Sequence, residues 1–91
     1  MQINGEDLYK IWLAWPLSEN PLTNPFVIQG DNWYGEERHY LVRNIKPTPN
    51  DKNQYEVKLF TNKFHPITLF AGKNHTFEII KDGRFKAINW R

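Results

Sequence analysis

The chain has no cysteine and only one serine, Ser18, among its 91 residues. Without cysteine there is no disulfide, no thiolate metal site and no cysteine nucleophile. A domain this small that folds outside the cell is usually stapled by disulfides, so the absence points to the cytoplasm. The lone serine lies in a proline-rich stretch without a strand–turn–helix nucleophile elbow, which argues against Ser/His/Asp hydrolysis. Long apolar runs are missing too. Nothing approaches the roughly 20 residues of a membrane span, and MQINGEDLYK carries acids where a secretory leader has bases. A soluble protein without a membrane partner is expected.

Glycine-rich phosphate loops and dinucleotide fingerprints are absent. The three histidines, His39, His65 and His75, form no H-x-H or H-x-x-x-H pair, so neither metal nor cofactor is expected. Glu36 and Glu37 are adjacent and would point to opposite faces of a strand, which prevents them acting as a carboxylate pair.

Aromatic residues are plentiful: four Trp, four Tyr and six Phe. Each removes on the order of 150–250 Å² from water when buried, which supplies much of the core of a small domain and excludes a disordered chain. Ninety-one residues suit one domain, spanning 1–91.

Net charge is +2 but uneven: residues 1–37 hold one base against six acids, and residues 38–91 hold eleven bases against four acids. Such a split marks either a basic binding surface or an acidic helix side balancing a basic sheet.

The local patterns define elements. Asn4 can cap a helix over residues 5–15, with Glu6 and Asp7 in its first turn. Leu8, Ile11, Trp12 and Trp15 recur at the spacing of one helical face, and Pro16 stops the helix. Residues 16–25 read as an extended connection and Phe26–Gln29 as a short strand. Gly30–Gly35 is turn-rich and presents Trp33 and Tyr34.

Alternation then predicts a strand over Arg38–Ile45, with Tyr40 and Val42 on one face and His39, Leu41, Arg43 and Ile45 on the other. Residues 47–53 read as a polar loop. Tyr55–Phe60 and Phe64–Ala71 follow as strands, the second confined at its start by Pro66. Asp82-Gly83 closes a two-residue hairpin. Uninterrupted alternation from that turn pairs Lys81 with Arg84, Ile80 with Phe85, Ile79 with Lys86, Phe77 with Ile88 and His75 with Trp90. Phe77, Ile79, Ile88 and Trp90 then form the apolar seat for the Trp12/Trp15 helix.

These elements predict an α+β domain, one N-terminal helix packed on a four- to five-stranded antiparallel sheet, with a small curled barrel as the alternative.

Three function classes fit. The leading one is a non-catalytic domain acting through a protein–protein interface, the build of an inhibitor, adaptor or accessory subunit of the kind phage and mobile elements encode. Trp33 and Tyr34 would be its anchors, with Arg38 beside them, because Trp, Tyr and Arg dominate interface hot spots. The same two rings could instead take a sugar or other small ligand, or fold back into the core.

The alternative is single-stranded nucleic-acid binding on a basic and aromatic sheet face, where Arg43, Lys58 and Phe60 combine phosphate-holding cations with a stacking ring. A third class is metal-independent RNA cleavage by two of the histidines with Lys58 or Lys63, which needs two imidazoles at one phosphate.

Overall fold

The computed structural model describes residues 1–16, 25–31, 37–61, 63 and 65–89. Its elements are β1 (Gln2–Asn4), α1 (Gly5–Ala14), β2 (Val27–Asp31), β3 (Glu37–Thr48), β4 (Asp51–Phe60), β5 (Pro66–Gly72), β6 (Thr76–Lys81) and β7 (Arg84–Asn89). The strands form one sheet in the order β1-β6-β7-β2-β3-β4-β5. All neighbours are antiparallel except β2 and β7. The expected α+β class holds. Seven strands replace the expected four to five, and the sheet does not close into a barrel.

The helix forms as its sequence dictates. The Asn4 side chain accepts from the Asp7 amide at 2.9 Å, and the Asp7 carboxylate accepts from the Asn4 amide at 3.3 Å, a reciprocal capping box. At the far end Trp15 is already extended (φ −74°, ψ 133°), as a residue before proline must be. Leu8 is fully buried, and Ile11, Trp12 and Trp15 pack against the core beside it.

What the helix sits on differs from expectation. Tyr9 stacks on Tyr55 of β4 with ring centroids 4.5 Å apart. Trp12 and Trp15 meet Phe26 edge-on at 5.2 and 5.6 Å, and Phe26 leans on Phe85 at 4.8 Å. The seat is therefore chiefly β4 and Phe26, the residue preceding β2, with β5, β3 and β6 also against the helix, and not one face of the last hairpin alone.

That hairpin departs from simple alternation twice. Asp82-Gly83 does turn the chain, with Gly83 at φ +78° where a side chain is strained, and Lys81 does face Arg84. Beyond it, however, Ile79 faces Phe85 and Phe77 faces Ala87. One extra residue is absorbed in each strand, Ile80 in β6 and Ile88 in β7, and both are thrown outward at 46% and 48% exposure. The apolar inner face is thus Phe77, Ile79, Phe85 and Ala87. The predicted pairings of Ile79 with Lys86 and Phe77 with Ile88 are wrong for this reason, and Trp90 lies outside the described residues.

A third irregularity lies in β3. The register passes from Val42 opposite Leu59 to Asn44 opposite Lys58, leaving Arg43 as the surplus residue. Ile45 therefore joins Tyr40 and Val42 in the core instead of facing outward with His39. The expected loop over 47–53 is instead the end of a long hairpin turning at Pro49-Asn50. Pro47 is tolerated there because β2 accompanies β3 only from Glu37 to Leu41, so the flank of Pro47 away from β4 carries no ladder among the described residues.

The sheet coils around α1 until the helix start meets the last strand. A Cβ on Gly5 would fall 2.7 Å from the amide nitrogen and the carbonyl oxygen of Gly72 in β5. Gly5→Ala is expected to cost about 1–3 kcal/mol, the range of core overpacking, read as a lowered urea midpoint with unchanged slope.

The bulges make a sharper forecast. Phe85 is 2% exposed, so Phe85→Ala should cost about 3–5 kcal/mol, whereas Ile88→Ala should stay within about 0.5 kcal/mol. Uninterrupted alternation demands the opposite ranking, and chemical denaturation of the two variants decides between them.

Candidate functional site

The outer face of the sheet, opposite the helix, holds the residues with chemistry to offer. The Arg43 bulge has a local purpose there. It aims the side chain outward, and the guanidinium carbon lies 5.3 Å above the centre of the Phe60 ring. Phe60 is placed by the ladder, opposite Leu41 in β3 and Pro66 in β5. Two residues earlier on the same face is Lys58, opposite Asn44 and Thr68.

Arg43, Lys58, Phe60, Pro66 and Thr68 line an open hollow of about 310 Å³. A guanidinium over an aromatic ring is attracted by the ring quadrupole. Arg43 is exposed, so this planar cation stays open to solvent on the outer face.

The charge around this hollow is positive but not uniform. Glu56 lies between Lys46 (3.9 Å) and Lys58 (3.8 Å). These partly exposed pairs add little stability. Their consequence is that the Glu56 charge is offset by two cations and does not dominate the face. Lys58 keeps 49% of its side chain exposed, leaving its ammonium accessible for a further anionic contact.

A second, more polar hollow of about 440 Å³ lies at the other end of β4 and β5, lined among others by Asp51, Gln54, Lys73, Asn74 and His75. Its charges balance locally. Lys73 also pairs with Glu6 of the helix at 3.6 Å, and the Asp51 carboxylate accepts from the Asn53 amide at 2.9 Å. The His75 ring is built into the fold: its Nδ1 accepts from the Gly72 amide at 2.7 Å, so in the neutral ring the proton sits on Nε2.

Of the six residues the sequence nominates for binding, Arg43, Lys58 and Phe60 come together at one place. Trp33 and Tyr34 lie outside the described residues. Arg38 is described in its backbone, paired with Gly30 of β2.

The histidines do not assemble into one cluster. His65 precedes β5 and His75 follows it, about 20–30 Å of strand apart. His39 lies on β3, with β4 between it and the β5 end where His65 sits. Among the described residues no group of three or more His, Cys, Asp or Glu could hold a metal ion, and no helix is long and apolar enough to cross a membrane.

Residues that sequence reasoning did not nominate also reach this face. Leu41 and Val27 continue the Phe60 row across the sheet to Arg84. The signal was weak, because Arg84 is brought there by a parallel pairing of β2 with β7 that no sequence pattern announces. Compared with protein families, curated proteins and solved structures, the chain finds no match.

His75→Ala removes the acceptor of a part-buried amide and should cost about 1–3 kcal/mol in stability. Ligand binding at the Arg43 hollow should be unchanged in that variant. Parallel urea titrations and binding titrations check both halves.

Proposed function

We propose that this protein is a non-catalytic binding domain that holds a single-stranded nucleic acid on the outer face of its sheet. The observation that carries this reading is the bulge that lays Arg43 over Phe60, with Lys58 beside the same open hollow. Single-strand binding needs cations for the phosphates and flat surfaces for the bases. Here the exposed Arg43 guanidinium takes a base, the Phe60 ring lies behind it, and Lys58 takes the neighbouring phosphate. Stacking of this kind tolerates any base, so weak sequence preference follows.

The protein-partner reading centred on Trp33, Tyr34 and Arg38 is a separate proposal, carried by the residue types alone. A nucleic-acid ligand and a cysteine-free chain both suit a cytoplasmic setting.

The test is fluorescence anisotropy with labelled single strands of about 12 nucleotides, within the span one small sheet domain covers. Binding is expected at low salt, with its logarithm falling linearly against log salt by about 0.7 per phosphate contact. Arg43→Ala and Phe60→Ala should each weaken it about tenfold, near 1.4 kcal/mol, and Lys58→Ala should lower the salt slope by about 0.7. No binding at low salt sinks the proposal. Displacement of the strand by poly-glutamate at equal charge would reassign the face to an acidic protein partner.

A further inference from the structure

The Arg43 hollow is one end of a longer feature. Phe60 of β4 faces Leu41 of β3, Leu41 faces Val27 of β2, and Val27 faces Arg84 of β7. All four are on the outer face, since their neighbours Leu59, Tyr40, Ile28 and Phe85 are buried. Three strand spacings separate the ends of this row, about 14 Å.

In the adjacent row His39 faces Gln29, and Gln29 faces Lys86. The middle of the surface is therefore low and uncharged along Leu41 and Val27, with Arg43 and Lys58 at one end and Arg84 and Lys86 at the other.

We infer that the bound strand crosses the sheet at right angles to the β-strands, along Phe60, Leu41, Val27 and Arg84, and that Arg84 and Lys86 hold its far phosphates. This inference rests on the nucleic-acid reading proposed above and specifies the path within it. The competing route runs lengthwise down the β3–β4 hairpin toward Lys52. That route passes over Glu56, which Lys46 and Lys58 only partly offset, and ends near Asp51. The crosswise row itself contains no acid, and the Asp31–Glu37 pair lies two residues beyond Gln29 and His39. Glu78 faces Lys86 from β6 and so borders the crosswise path instead of interrupting it. Phosphates follow the course with fewer like charges beneath them. Apolar Leu41 and Val27 suit the floor, because bases laid there lose no hydrogen bond and cover half-buried carbon.

The experiment compares equal charge losses on the two routes, using the same labelled strand of about 12 nucleotides. Lys86→Ala and Arg84→Gln should each weaken binding severalfold and lower the salt slope by about 0.7, and the pair by about 1.4. Lys86→Glu should weaken it further. Lys52→Ala should change affinity less than twofold.

Arg84 is partly buried, so circular dichroism and the urea midpoint accompany each variant, and exposed Lys86 alone suffices if Arg84→Gln unfolds. The reverse ranking, with Lys52 sensitive and Lys86 indifferent, overturns the crosswise path in favour of the lengthwise one. Indifference at both lysines, while Arg43→Ala and Phe60→Ala still weaken binding, confines the ligand to the hollow and overturns the path alone. A wild-type protein that binds no strand at all removes the path together with the reading beneath it.

Discussion

The close approach of Gly5 to the end of β5 is the constraint on which the rest of the structure depends. Gly5 follows β1, one edge of the sheet, and Gly72 ends β5, the other edge. The two edges can come this near only if the sheet coils tightly around the helix between them. That coil lets one ten-residue helix serve the whole core, burying Leu8 among Phe26, Ile28, Val57, Leu59, Phe77 and Phe85. A chain of this length has little surplus burial to lose, so the absence of a side chain at Gly5 is as consequential as the aromatics around it.

Coiling has a cost in register, met by irregularities at Arg43, Ile80 and Ile88. Each bulge inserts an extra residue that sharpens the local twist and turns the strand. Two of them expel isoleucines and return Phe85 and Ala87 to the inside. The third expels an arginine onto the outer face. The kink that admits Ile45 to the core is the one that lays Arg43 across Phe60. The outer face owes this contact to the way the inner face is packed.

Much of the architecture was legible in particular residues. Asn4 with Asp7 announced the helix start, Pro16 its end, and Asp82-Gly83 the last turn, because each acts through a bond or dihedral within a few residues of itself. The β3–β4 hairpin was partly hidden, since Pro47 and Pro49 read as loop when neither the open flank of β3 nor the tight turn could be known. Strand β1 was missed because three residues carry no period. At the candidate site, the types of Arg43, Lys58 and Phe60 were readable, but the contact of Arg43 with Phe60 depends on a bulge.

The amino-acid sequence by itself determined the fold class, the helix and its caps, the Asp82-Gly83 turn, and the supply of cations and rings from which a binding surface can be made. These follow from local dihedral preference and hydrophobic period, which act over a few residues. Only the tertiary structure decided which residues face inward past each bulge, that β2 lies parallel to β7, and that Arg84 aligns with Phe60 across two intervening strands. Those outcomes come from fitting a coiled sheet around one helix, where the lowest-energy register is set by the volume of the whole core and not by any segment alone.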